Sequence, residues 1–243
     1  MKLLTPRKVL DRLADLAADS IDAQALQALA PLSGPFLPST SSSMRPAAIL
    51  AVASDIVINH RRTIVECGSG NSTIFAARAL SQEGIDGHIH SVDHDPEWAA
   101  LTARAVAREN LGQWATVICA PLVNGWYDIN SLPMVEGIDL LVVDGPPSFT
   151  REKELARAPA LDVFWDRLAP GATIILDDSG RRGEKHVIAA WRKRRGVELR
   201  HQRGGHALAR LDQHSTPRQA HRQRSDQRRV EGAAVDWAQN VNS

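Results

Sequence analysis

The 243-residue sequence predicts an α/β fold, a doubly wound, mostly parallel seven-stranded sheet with helices on both faces and a C-terminal antiparallel hairpin. Three observations predict it. Five continuous apolar runs alternate with helical patterns, as in a parallel sheet covered on both faces. A glycine-bearing turn in "VECGSGNST" joins the first of these runs to its helix. After the last helix the pattern changes to two short runs, "VELRHQ" and "HALARL", separated by Arg203-Gly204-Gly205, which reads as a hairpin.

Taken in order, Thr5 can cap a helix with Pro6 in its first turn, where a missing N–H costs nothing. Leu10, Leu13 and Ala17 give that helix one apolar stripe. The Pro/Ser-rich stretch 31–46 reads as a loop, either a lid over a site or a linker. Ser42 or Ser43 then caps a helix running to about Ile58. "TIVEC" is a strand and "NSTIFAARAL" a helix; "GHIHSVD" is a strand and "PEWAALTARAVAREN" a helix opened by Pro96. "WATVICA" and "IDLLVVD" are strands, and "REKELARAPALDVFWDRL" is helical with a break at Pro159. "ATIILDD" is the fifth strand and "GEKHVIAAWRKRR" the last helix. The chain thus divides into an N-terminal helix and loop (1–46), an α/β domain (47–211) and a polar, Arg/Gln-rich tail (212–243) expected to be disordered.

The net charge of +1 hides an uneven layout. Residues 1–180 carry 14 Lys/Arg against 22 Asp/Glu, whereas residues 181–210 carry 10 against 2. Much of that excess is "WRKRR" at a helix C-terminus, where cations complement the macrodipole; a solvated face or a binding patch would each account for it. Cys67 and Cys119 both fall in apolar runs and read as buried small hydrophobes, not as a disulfide framework or nucleophiles. The N-terminus lacks the apolar core of a signal peptide, and no stretch approaches the roughly 18 apolar residues of a membrane span. The expectation is a cytoplasmic protein without a membrane partner.

The turn after the first strand is Glu66-Cys67-Gly68-Ser69-Gly70-Asn71-Ser72. Its glycines allow close backbone approach, and the helix beginning near Ser72 points free N–H groups at the same space. Thr73 stands where the dinucleotide fingerprint needs its last glycine, and Glu66 would repel a phosphate, so a dehydrogenase is disfavoured. "CGSGN" is also not a hydrolase nucleophile elbow. Asp93 ends the second strand, where a carboxylate can accept both hydroxyls of a ribose. Asp95, preceding Pro96, takes the helix cap and leaves Asp93 free for a ligand. A nucleoside with one anionic and one cationic group would satisfy all of these, and S-adenosylmethionine is such a molecule.

"VECGSGNST", "HSVDHDPEW", "IDLLVVDGPP" and "LAPGATIILDD", in that order, resemble the motifs of class I S-adenosylmethionine-dependent methyltransferases. The resemblance spans roughly residues 40–211 and includes the terminal hairpin. It implies that Glu66 and the Gly68–Ser72 turn, with Cys67 between them, hold the methionine end of S-adenosyl-L-methionine. Asp93 would hold the ribose, His94 would lie near the adenine or else be an exposed loop histidine, and Ala120-Pro121-Leu122 would line the adenine.

Asp144, after the fourth strand, falls across the switch point from the glycine turn, close to the transferring methyl group. Three roles are open to it: base or positioning group for the acceptor, metal ligand, or loop hydrogen-bonder. Enzymes similar to catechol O-methyltransferase carry an Asp here and an Asp-Asn pair after the fifth strand; this chain has Asp177-Asp178 instead. The sequence therefore assigns Asp144 as the catalytic candidate and assigns no metal. The expected activity is methyl transfer to a small-molecule acceptor, with Arg181, Arg182 and Lys185 placed either to attract an anionic one or simply to be solvated. A nucleic-acid acceptor and a non-catalytic cofactor-binding protein are the alternatives.

Overall fold

The computed structural model describes residues 5–212, so the expected disorder of the C-terminal tail lies outside the described residues. Helix α1 (Pro6–Leu29) leads into helix α2 (Pro46–Asn59). Strand β1 (Thr63–Cys67), helix α3 (Asn71–Gln82), strand β2 (His88–Asp93), helix α4 (Pro96–Arg108) and strand β3 (Ala115–Cys119) follow. A short antiparallel pair, β4 (Leu122–Val123) and β5 (Trp126–Tyr127), precedes strand β6 (Ile138–Val143). Helix α5 (Pro159–Phe164), strand β7 (Leu168–Leu176), helix α6 (Arg182–Arg195) and strands β8 (Arg200–His201) and β9 (Ala207–Arg210) complete the domain.

The main sheet has seven strands in the order β3-β2-β1-β6-β7-β9-β8. The β1–β2, β1–β6, β2–β3 and β6–β7 pairs are parallel, and β9 pairs antiparallel with both β7 and β8. Chain order reverses between β1 and β6, which makes their C-terminal ends the switch point where ligands of such sheets bind.

Alternate residues of the central strands feed two cores. Val65, Leu141, Val143, Ile174 and Leu176 pack with Leu161, Phe164, Val187 and Trp191 from α5 and α6. Ile64, Leu140, Val142 and Ile175 pack with Val52, Ile56, Ile74 and Leu80 from α2 and α3. A period-two strand buried on both faces produces this division. Among the described residues, no helix is long and apolar enough to cross a membrane.

Several local expectations are overturned. Helix α2 begins at Pro46, and its first-turn amide from Ala47 is capped by Asp22 Oδ1 of α1 at 3.1 Å. Ser43 instead accepts a hydrogen bond from the Thr40 amide within its own turn, at 2.9 Å. The stretch 151–168 is not one broken helix. It consists of a 3-10 turn at Arg151–Lys153, the short α5 and a second 3-10 turn at Trp165–Arg167. Pro159 opens α5 instead of ending a helix, since a first-turn residue needs no N–H. Strand β7 starts at Leu168, and a register irregularity against Ile138–Leu140 absorbs Pro170. Cys67 is buried as expected, whereas Cys119 at the end of edge-side β3 is exposed.

Candidate active site

A cleft of about 340 Å³ opens at the C-terminal ends of β1, β2 and β6. Gly68, Ser69, Gly70, Asn71 and Ser72 form one wall, Asp93, His94 and Trp98 the next, and Asp144, Gly145, Pro147 and Arg157 the wall opposite. Thr40, Ser42, Ser43 and Met44 reach the same cleft from the Pro/Ser-rich loop.

The β1 turn is close to β6. The Asp144 and Gly145 amides both donate to the Cys67 carbonyl, at 2.8 and 2.6 Å. Gly68 has φ +97, and a Cβ there would meet Gly145 N at 3.0 Å, so only glycine fits. A Cβ on Gly145 would in turn run into the Tyr127 hydroxyl.

Glu66 and Cys67 do not line the cleft; they lie beneath it, fully buried. Glu66 Oε2 accepts from Thr73 Oγ1 at 2.5 Å and Ser91 Oγ at 2.6 Å, while its Oε1 has no partner. Burial raises the Glu66 pKa above the ordinary carboxylate value, against the opposing hydrogen bonds from Ser91 and Thr73. Burial, followed by the nearby Glu66, also pushes the Cys67 thiol far up, which leaves it inert.

Asp95 caps α4, accepting from the Glu97 and Trp98 amides at 2.9 and 3.1 Å, as its position before Pro96 suggests. The companion expectation, that Asp93 is left free, does not hold. Asp93 Oδ2 accepts from the Ser69 amide and hydroxyl, each at 2.9 Å, and Oδ1 accepts from the Asp95 amide at 3.0 Å. A carboxylate has about four acceptor positions. Only Oδ1 keeps one open here, so in this arrangement Asp93 can take one hydroxyl, not two. Its role is double: it faces the cleft and fixes the glycine turn. Trp98 adds to that fixing, its indole N–H donating to the Ser69 carbonyl at 2.7 Å.

His94 lines the cleft, with Nδ1 at 3.4 Å from Asp93 Oδ1. Ala120, Pro121 and Leu122 are outside the cleft lining; the Ala120 amide is spent on the Asp93 carbonyl at 2.7 Å.

Asp144 is 14% exposed. Burial first, and the negative charge of Asp177 second, raise its pKa well above the ordinary value, with Arg157 opposing. Asp144, Asp177 and Asp178 each present a carboxylate oxygen within 4.8 Å of the others. Such oxygens are the kind Mg²⁺ or Ca²⁺ takes. The guanidinium of Arg157, 2% exposed, stands among them. Its Nη2 is 3.1 Å from Asp144 Oδ1 and 3.3 Å from Asp178 Oδ2. The sequence offered no signal for Arg157, one arginine in a stretch that reads as helix. Tyr127 and Trp98 were likewise not foreseen as cleft residues.

Residues 65–179 match the sequence model of a family described as "Methyltransferase domain". Among curated proteins, none matches the chain. Solved structures share its fold. The S-adenosylhomocysteine-bound methyltransferase of Podospora anserina is 14% identical with a TM-score of 0.59, over 87% of this chain and 99% of its own. The O-methyltransferase of Bacillus cereus, solved with S-adenosylhomocysteine, is 19% identical with a TM-score of 0.51, over 83% and 97%. TomG of Streptomyces achromogenes, an O-methyltransferase of tomaymycin synthesis solved with S-adenosylmethionine, is 18% identical with a TM-score of 0.52, over 79% and 89%.

Proposed function

We propose that this chain, whose residues 65–179 match the sequence model of a methyltransferase domain, transfers a methyl group from S-adenosylmethionine to a hydroxyl oxygen of a small-molecule acceptor. One observation carries the reading: the cleft joins an anion-accepting glycine turn and a ribose-type acid, Asp93, to a buried carboxylate, Asp144, across the switch point.

The residues present fit the cofactor. First-turn amides of α3, at Asn71 and Ser72, lack intrahelical acceptors and suit a carboxylate. Gly68 lets that group come close to the backbone, with Ser69 and Gly70 shaping the wall. Asp93 Oδ1 takes one ribose hydroxyl, and His94 faces the adenine side. Glu66 acts from below, fixing the glycine turn through the Thr73 hydroxyl, while Cys67 holds the loop after β6 in place through its carbonyl. Bound there, S-adenosylmethionine supplies a methyl carbon on a positively charged sulfur, set for in-line displacement.

Asp144 then serves as the proton acceptor for the acceptor hydroxyl. Its raised pKa makes it a better base near neutral pH than an ordinary aspartate, which is what proton transfer in the transition state favours.

The O-methyltransferases of similar fold support a small hydroxylated acceptor. Part of the basic segment is already committed to ion pairs: Arg181 with Asp178 at 2.7 Å, Arg192 with Glu198 at 3.0 Å, and Arg195 with Asp162 at 3.3 Å. That commitment weighs against a phosphate-binding face. Incubating the protein and methyl-labelled cofactor with a fractionated cell extract tests the reading. Label in a low-mass product that resists alkali but is released as methyl iodide by hot hydriodic acid supports a methylated hydroxyl. Label in RNA or protein, or none at all, contradicts it.

A further inference from the structure

The acid cluster at the mouth of the cleft is already held by a buried cation. Arg157 Nε reaches the Pro146 carbonyl at 3.4 Å, and Nη1 reaches the Asp177 carbonyl at 3.2 Å and Glu184 Oε1 at 3.6 Å. Nη2 bridges Asp144 Oδ1 and Asp178 Oδ2. One guanidinium thus ties the loop after β6, the loop after β7 and the first turn of α6 to the segment that leads into α5. Its planar fork of five fixed donors suits this many acceptors, as an ammonium does not.

We infer that Arg157 is a positioning residue that takes the place of a divalent cation, so that Asp144 is aimed into the cleft by a guanidinium and the site works without a metal. The point bridging Asp144 and Asp178, which an ion shared by the two carboxylates would use, is filled by Nη2. An ion nearby would also face a buried positive charge at short range, in surroundings that screen little. Asp177 gives Arg157 its backbone carbonyl, and its side-chain Oδ1 is left without a partner. That single oxygen is a poor substitute for the six or more that Mg²⁺ or Ca²⁺ gathers. The inference concerns the same cleft as the proposed methyl transfer. It is tested without cofactor or acceptor, so its failure leaves that reading standing, and the reverse.

The test is thermal unfolding of the whole chain with millimolar MgCl₂, MnCl₂ or CaCl₂ and with EDTA, together with Mn²⁺ binding followed by electron paramagnetic resonance. For the unaltered protein the midpoint is expected to stay within about 1 °C across all conditions, with Mn²⁺ remaining free. Arg157→Ala is expected to unfold at least about 5 °C lower, because it strands buried carboxylates. It should then regain part of that loss with MnCl₂ and lose it again with EDTA. Arg157→Lys keeps a charge and should remain insensitive to metal, though less stable. Stabilisation of the unaltered protein by a divalent cation, reversed by EDTA, overturns the inference. So does an Arg157→Ala protein that folds yet takes up no Mn²⁺. If Arg157→Ala does not fold, the unaltered protein and Arg157→Lys still decide the question.

Discussion

Thr73 Oγ1 donates to Glu66 Oε2 at 2.5 Å and accepts from the Gly70 amide at 3.0 Å. One hydroxyl thereby ties the glycine turn to the buried acid beneath it. This explains why a threonine stands where a dinucleotide-binding turn has glycine: the position anchors an acid, so it needs a side chain.

Replacing Thr73 with valine keeps its shape and removes the hydroxyl's hydrogen bonds to Glu66, Gly70 and Ser91, leaving a buried carboxylate short of a donor. A loss of about 1–3 kcal/mol is expected in urea unfolding, with Thr73→Ser close to the unaltered protein. Equal stability of the valine and serine variants would show that the hydroxyl does not matter.

Asp93 holds the turn and faces the ligand, so its two roles can be separated. Asp93→Ala should weaken S-adenosylhomocysteine binding by about tenfold or more, the loss of a charge-assisted hydrogen bond plus a loosened turn. Ser69→Ala removes one bond to Oδ2 and leaves Oδ1 untouched, and should cost a few-fold at most. Calorimetry on the two variants checks the order; a larger loss for Ser69→Ala would place the ligand contact elsewhere.

Gly68→Ala combines a positive φ with a Cβ 3.0 Å from a backbone nitrogen. Both are costly, and the second cannot be relieved by a side chain moving aside. The variant is expected to lose about 2 kcal/mol or more of stability and most cofactor affinity. Circular dichroism melts and calorimetry read the two effects.

Asp177 gives a signed pH dependence. Burial, aided by the charge of Asp178, pushes its pKa up to about 6 from an ordinary 3.8. The folded protein therefore binds more protons than the unfolded chain between about pH 4 and 6. Across that window its contribution to stability falls as pH rises, then levels off above about 6. Asp177→Asn removes this dependence. Relative to the unaltered protein it should be neutral near pH 4 and more stable by pH 7. A stability difference that does not change with pH would contradict the assignment.

How far the sequence could be read depended on whether a feature was local. The five apolar runs and their helices emerge where "TIVEC", "GHIHSVD", "WATVICA", "IDLLVVD" and "ATIILDD" place them, because strands buried on both faces leave an uninterrupted apolar signature. Asp95 was readable as a cap because its geometry involves only its next three residues. The β4–β5 hairpin was missed even though Asn124-Gly125, with φ of 54 and 83, is a strong two-residue turn signal. The strands flanking it are only two residues long, too short for any periodicity.

The site was legible in its backbone and not in its charges. Gly68 to Ser72 and Asp93 follow from strand-to-helix turn chemistry. By contrast, Arg157 meets Asp144, Asp178 and Glu184 only after three loops come together, 13 to 27 residues away in the chain. No spacing rule connects such partners. The Asp22 cap on α2 was hidden for the same reason, its carboxylate arriving from another helix.

In the proposed reading, the Gly68–Ser72 turn and Asp93 together build a site for S-adenosylmethionine. Isothermal titration of the purified protein with S-adenosylhomocysteine tests it most directly. One site per chain, a dissociation constant in the micromolar range and a clear weakening in Asp93→Ala are expected. Absence of binding by a folded protein at millimolar ligand would contradict it.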